Sequence, residues 1–372
     1  SQMWRISSAA FAYDIHKVNN NSVRVEARSR QTFGDEASLR AVPQYTNFAA
    51  YDQLVDAKYP WSLPFERNAM ESNLFLEHLG TPIHNILETL VREAQPFQSL
   101  NEDQSIKIAL SRIRMTHREK MIITGETPTG EDVWSGTAPA DLKNVGVFLS
   151  VSHLSFDEFD EVLNTWFVDP EQSLSVVEVD AVPDENGQKP PARNCVSAEL
   201  EIENLESVHL DRFHRFMRLK SRLEWSVAEL DNALRLLSAN SSQPEISNQT
   251  LITLGVVKQA TASLRLGIMD VLTLWFGLDA FGENSFYARL VESALAAQPA
   301  ETAGDFAFDP STQDLFGAGK DAIPLIRPLQ AITRLNEEEI AMLITGSSPT
   351  LSLELVSSLY TFSVLSKDRK ST

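Results

Sequence analysis

A ten-residue phrase recurs along this chain and constrains its fold more than any other feature. It reads Leu154-Ser-Phe-Asp-Glu-Phe-Asp-Glu-Val-Leu163, then Trp225-Ser-Val-Ala-Glu-Leu-Asp-Asn-Ala-Leu234, then Leu335-Asn-Glu-Glu-Glu-Ile-Ala-Met-Leu-Ile344, with a looser copy over residues 266–275. In the first three a Ser or Asn is followed three residues later by Glu: Ser155/Glu158, Ser226/Glu229 and Asn336/Glu339. At that spacing the cap oxygen accepts from the N3 amide while the glutamate reaches back to the cap amide. The apolar residue before each cap (Leu154, Trp225, Leu335) stands against the one at N4 (Phe159, Leu230, Ile340), which makes a hydrophobic staple. The phrase therefore predicts short helices, each entered at a fixed angle. It holds no catalytic group. Its starts at 154, 225, 266 and 335 share no single period, so an irregular stack of helical hairpins is expected rather than a regular solenoid.

Around these anchors most of the chain reads as helix. Asn47 is placed as the cap of a first helix, and 66–79 reads as an amphipathic helix with Leu74, Phe75 and Leu79 on one stripe. Gly80, Thr81 and Pro82 then suit a left-handed stop, an N-cap and a first helical residue. Further helices are expected over 82–93, 103–119, 140–151, 156–166, 206–221, 227–237, 248–264, 269–276, 285–297, 324–333, 337–343 and 351–365. Residues 173–179 and 196–202 alternate with period two around a polar loop, which predicts a β-hairpin. The divisions that follow are an irregular N-terminal segment 1–44, a first helical region 45–172, a β-hairpin insertion 173–204 and a second helical region 205–372. Within the last, 298–320 is expected to be an extended surface loop. The fold class is mostly α, an irregular helical-repeat shell with one β-hairpin insertion.

Charge narrows the partners. The formal net charge is −19, and it stays strongly negative with all seven histidines protonated. Such a surface repels nucleic acid and anionic lipid. The single Cys195 excludes an internal disulfide framework and a cysteine-rich metal site. The first residues do not read as a signal peptide, and the chain, beginning without Met, reads as trimmed or internal. The densest apolar run, 271–278, falls far short of the roughly 18 residues a membrane span needs, so the chain is expected to be soluble and not membrane-inserting.

No group of residues demands chemistry. His209 and His214 lie five apart, about 140° around a helix, and so do not share a metal as an i, i+4 pair would. Gly125-Glu-Thr-Pro-Thr-Gly130 has the glycine spacing of a phosphate loop, but Glu131 stands where lysine is required, so it reads as a turn. The clusters Asp157/Glu158/Asp160/Glu161 and Glu337–Glu339 are placed in first helical turns, where carboxylates favour the helix dipole. No Gly-x-Ser-x-Gly elbow occurs. Asn20, Asn240 and Asn248 begin glycosylation triplets of a kind common by chance. No catalytic, cofactor-binding or metal-binding residue is assigned, and no cofactor is expected.

One helix stands out by its cations. Over 210–225 Leu210, Phe213, Met217 and Lys220 share a stripe that Phe216 and Leu219 widen, while Arg212, Arg215, Arg218 and Arg222 line other faces. In so acidic a chain these cations are expected to serve as internal partners of the acidic helix starts.

The run LDRFHRFMRLKSRLEWSVAELDNALRLL (210–237) resembles the A component of the Tc (toxin complex) insecticidal toxins. Three other stretches agree in order. Residues 42–81 resemble that family's Tyr-Pro-x-x-Leu-Pro-Phe and His-Leu-Gly segment. Residues 142–170 are similar to its helix ending in Phe-Val-Asn/Asp-Pro, and 353–367 to its Leu-Ser-x-Leu-Tyr helix.

The resemblance implies the α-helical shell region of a much longer, pore-forming toxin subunit that is secreted or displayed at the cell surface. In the family that subunit forms a homopentamer, binds host-cell receptors and works with B and C components to translocate a toxic enzyme. The channel and neuraminidase-like regions have no counterpart here, so this segment alone is not expected to form pores, and it is expected to be monomeric or weakly dimeric. Shorter virulence-plasmid A proteins are related, which leaves open a stand-alone virulence-associated helical interaction module. A third reading, of another class, is a hydrolase whose site the spacing does not reveal. A cleft holding a perturbed His–carboxylate pair would favour the hydrolase, and an exposed apolar face would favour assembly.

Overall fold

The structure, a computed structural model, describes residues 3–7, 11–19, 22–29, 48–94, 99–180, 197–238, 243–280, 285–296, 300–309, 312–344 and 350–370. It is predominantly α-helical, with small antiparallel sheets inserted. The chain divides into two compact units, Ser1–Ala57 with Leu63–Arg67, and Lys58–Ser62 with Asn68–Thr372.

In the first unit, strands β1 (Met3–Ser7), β2 (Phe11–Asn19) and β3 (Ser22–Ser29) form an antiparallel sheet. Within residues 3–29 this corrects the irregular segment expected over 1–44; residues 30–44 lie outside the described residues. The alternation is present, but each run is short and interrupted by Ser, Asn and Gly. Pairing supplies what one run lacks, setting Trp4 opposite Ile15 and Ile15 opposite Val25. Helix α1 (Phe48–Asp56) follows; its expected cap Asn47 lies outside the described residues. Arg67 lies over the rings of Phe48 and Tyr51, 5.3 and 5.2 Å from their centroids.

The second unit is a succession of helices. They are α2 (Arg67–His78, its first residue assigned to the other unit), α3 (Ile83–Ala94), α4 (Glu102–Arg112), α5 (His117–Ile123), α6 (Val145–Ser152) and α7 (Phe156–Leu163). The hairpin β4 (Ser175–Glu178) and β5 (Leu200–Glu203) comes next, pairing Val176 with Ile202 as the alternation requires. Helices α8 (Ser207–Leu223), α9 (Val227–Leu237), α10 (Asn248–Leu264), α11 (Ile268–Phe276), α12 (Phe286–Leu295) and α13 (Ala300–Asp305) follow. A two-residue pair, β6 (Phe308–Asp309) and β7 (Asp314–Leu315), precedes α14 (Ile326–Thr333), α15 (Glu337–Ile344) and α16 (Leu353–Lys370).

Four expectations need correction. The single hairpin is one of three small sheets among the described residues. The loop expected over 298–320 contains α13, β6 and β7; its Phe306 is buried in the second core, and Tyr287 donates from its hydroxyl to the Phe306 carbonyl at 2.8 Å. The helix expected over 103–119 is two helices, since Arg114 turns left-handed at φ 54°. The stripe on α2 faces solvent, with Leu74, Phe75 and Leu79 exposed by 55%, 64% and 59%.

The arrest at Arg114 belongs to a pattern. The residue before each staple is left-handed: Arg114, His153, Glu224, Arg265 and Arg334 have φ between 54° and 62°. Each of these is exposed, each is followed by an apolar residue that turns inward, and a new helix begins two residues on. The corners are built without glycine, at a cost in backbone strain that the buried apolar residue offsets. Stacked corners enclose two cores. One gathers Phe148, Phe159, Phe213, Phe216, Leu230 and Leu251, the other Tyr287, Phe306, Leu329, Ile340 and Leu359.

Candidate functional site

Helix α8 is the polar and aromatic hub of the first core. One side closes an aromatic cluster in which the Phe213 ring lies 4.9 Å from Phe148 and 6.3 Å from both Phe159 and Trp134. The other faces carry cations inward, and each finds an acceptor on this chain. Lys220 meets Glu158 in the first turn of α7 at 2.6 Å, and Arg222 meets Glu119 in the first turn of α5 at 2.7 Å. The Lys220–Glu158 pair is of the kind the sequence led us to expect, a cation of this helix on an acidic helix start; Glu119 was not among the acidic starts read from the sequence. Arg215 donates to the Ile123 carbonyl at 2.7 Å, Arg212 to Gln243 at 2.8 Å, and Arg218 to the carbonyls of Trp61 and Lys58. Burial pulls the Arg218 guanidinium down to about 10, with the Glu119 carboxylate working against it. Burial likewise raises the Glu119 carboxyl, and Arg222 offsets only part of that rise.

The turn read from Gly125–Gly130 docks on this helix. Gly125 is left-handed at φ +76°, and a Cβ there would stand 3.3 Å from an Arg215 guanidinium nitrogen, so glycine serves both conformation and space. Thr129 donates to Asp211 Oδ1 at 2.9 Å, and its oxygen lies 3.2 Å from His214 Nε2, which is itself 3.3 Å from Asp211 Oδ1. Arg215 adds a bond to Asp211 Oδ2 at 2.9 Å. Burial alone would raise the Asp211 carboxyl, but His214 and Arg215 outweigh it and hold the group well below the usual carboxylate range. Burial lowers the His214 imidazole, with Arg218 and Arg215 adding to the effect against Asp211.

This is a perturbed His–carboxylate pair beside a hydroxyl, the sign named as favouring a hydrolase. Its geometry does not serve that chemistry. A general base takes the nucleophile's proton on one ring nitrogen while the carboxylate orients the other. Here hydroxyl and carboxylate converge on the same nitrogen, and Nδ1 is buried with no hydrogen-bond partner among the described residues. The Thr129 proton points to Asp211. What the cluster does is fasten the 125–130 turn to α8.

His209 stands apart from it. Its Nδ1 accepts from the Glu206 amide at 3.1 Å, closing the start of α8. It lines a polar cleft of about 410 Å³ together with Asp169, Ser173, Glu206, Arg212 and Gln243. Asp169 is occupied there by the Leu174 amide at 2.7 Å and the Ser173 hydroxyl at 3.2 Å. Among the described residues no group of three His, Cys, Asp or Glu is arranged to hold a metal. Asp157, Glu158 and Glu337–Glu339 do sit in first turns, whereas Asp160 and Glu161 lie beyond the first turn of α7. Of the glycosylation triplets, Asn20 and Asn240 fall outside the described residues. Asn248 donates to Glu102 at 3.1 Å and Thr250 is buried in the cap of α10 with Ser247.

The residues that sequence reasoning missed are Thr129, Glu119 and the Lys58–Trp61 segment. Only Glu119 had a readable signal, since Thr116 and Glu119 repeat the cap spacing. No protein-family model matches the chain, and no curated protein matches it.

Proposed function

We propose that this chain is the helical shell region of a Tc toxin A component, a scaffold that holds shape in an assembly delivering a toxic enzyme into host cells. The observation that carries the reading is the use made of the 210–237 run. Phe213, Phe216, Leu219, Leu223, Trp225, Leu230 and Leu234 are buried, and every cation among Arg212, Arg215, Arg218, Lys220 and Arg222 is bonded within the chain. The most distinctive segment of the resemblance is thus spent on packing. The exposed apolar side chains of α2 (Met70, Leu74 and Phe75) and of Leu79 just after it support a role in assembly, because apolar surface left on a folded scaffold marks contact with a partner.

The reading places the segment in a secreted or cell-surface homopentamer that works with B and C components and host receptors, and it gives this segment no catalytic task. The test is electron microscopy of the natural full-length product, decorated with an antibody fragment raised against this chain. Labels around the outside of a bell-shaped pentamer, away from the membrane-inserting tip, are the expected result. A monomeric particle, or labels at the tip, would reject the assignment. Stoichiometric zinc, or a sialidase or esterase activity that tracks with the pure protein, would instead favour the hydrolase.

A further inference from the structure

The chain on either side of Lys58–Ser62, up to Ala57 and from Leu63 to Arg67, belongs to the first unit, yet these five residues belong to the second. Among the described residues no backbone-to-backbone hydrogen bond holds them. They are held through side chains, theirs and those beneath. Lys58 Nζ lies 2.6 Å from Asp132 and donates to the Pro128 carbonyl at 3.0 Å. Tyr59 donates to the Val151 carbonyl at 2.9 Å, and the Trp61 indole to the Val133 carbonyl at 2.8 Å. The Trp61 ring stands edge-on to Trp134, centroids 5.1 Å apart, and Arg218 donates to the carbonyls of Lys58 and Trp61.

Strap and floor differ in burial. None of the five strap residues is buried, whereas Val133, Trp134, Phe213 and Arg218 beneath them are exposed by 3% or less. A segment fixed by separable side-chain bonds over a dry aromatic floor has the construction of a bound peptide.

We infer that Val133, Trp134, Phe213 and Arg218 form the floor of a peptide groove, closed in cis by Lys58–Ser62, and that its partner in trans is the same segment of a second copy. The groove reads features this segment supplies: an ammonium for Asp132, a hydroxyl for the Val151 carbonyl, an indole N–H for Val133 and two carbonyls for Arg218. Exchange of such a segment between copies makes a dimer without creating any new contact.

Native-state trypsin digestion of the full chain, read by mass spectrometry at the bond after Lys58, measures how often the strap leaves. Asp132→Asn and Trp61→Ala should each speed that cut on the order of tenfold, as loss of one good polar contact predicts. Cuts after Arg222 in α8 and Lys258 in α10 should keep the wild-type rate. A labelled synthetic peptide spanning residues 57–64 should bind Trp61→Ala protein and be excluded from wild type. If the cut after Lys58 accelerates only together with those in α8 and α10, or stays unchanged, the strap is ordinary core and the inference falls. It falls equally if the variant with a freed strap does not bind the peptide.

Discussion

Ser155 and Ser226 are the caps in two copies of the same phrase, and their glutamates end in different places. At Ser226 the box is closed, with Glu229 accepting from the Ser226 amide at 2.9 Å while its own amide donates to the Ser226 hydroxyl oxygen at 3.2 Å. Asn336 and Glu339 close likewise, at 2.9 and 2.8 Å. At Ser155 only the cap half forms; the Glu158 amide donates to Ser155, but the carboxylate lies on Lys220. At Thr116 the cap half forms as well and Glu119 is drawn to Arg222, while its carboxyl keeps a weaker backbone contact with Thr116. In both cases the glutamate meets a cation of α8. A cap oxygen bonding to the amide three residues on depends on local backbone alone. A glutamate has a choice, and a facing cation in partly dry surroundings outbids its own helix.

Ways to break this comparison can be ordered by size. Trp225→Ala removes the staple common to both kinds of corner, from a buried position in the first core. It should cost about 3–5 kcal/mol in a denaturant melt. A neutral result would show that the corner is held by its caps and not by its apolar residue.

Arg222→Ala leaves the Glu119 carboxylate buried without its ion-pair partner, with only the more distant charge of Arg218 to favour it. The cost near neutral pH should be about 2–3 kcal/mol, at the low side for a buried pair because Arg222 is partly exposed. Since burial raises the Glu119 carboxyl in the fold, the folded state holds its proton at a higher pH than the unfolded chain does. Stability linked to this group is therefore greater below its folded pKa and falls as pH rises through the window above the ordinary 4.5. The variant's deficit should shrink on acidification. A deficit that does not change with pH would mean Glu119 is not the group left uncompensated.

Ser226→Ala opens a closed box and should cost about 1 kcal/mol, more than Ser155→Ala, where half the box is already open. Equal costs would erase the distinction drawn between the two corners.

Arg334→Gly acts with the opposite sign. It relieves a left-handed residue that is exposed at φ 59°, and should stabilise by about 0.5–1 kcal/mol if the corner geometry is kept. Destabilisation would show that Arg334 makes the corner by its side chain.

Lys220→Ala should be the smallest change, within about 0.5 kcal/mol, because the released Glu158 can return to the Ser155 amide. Slower solvent exchange of that amide in the variant is the signature to look for; an unchanged amide would refute the competition.

What the sequence determined by itself are the features closed within a few residues. The caps at Ser155, Ser226 and Asn336 have their donors three positions away. The left-handed stop at Gly80 and the β4–β5 pairing follow from glycine and from period two. The mostly helical class is the sum of such local choices. Everything that joined distant residues was decided by the tertiary structure. Thr129 reaches Asp211 across 82 positions and Trp61 reaches Val133 across 72, and no spacing rule spans such distances. The corners show the division most plainly. The staple and cap can be read, but nothing in Glu224 or Arg334 announces a left-handed backbone, which an L-residue with a side chain resists. That conformation exists because Trp225 and Leu335 must turn into the core one residue later, and their burial outweighs the strain.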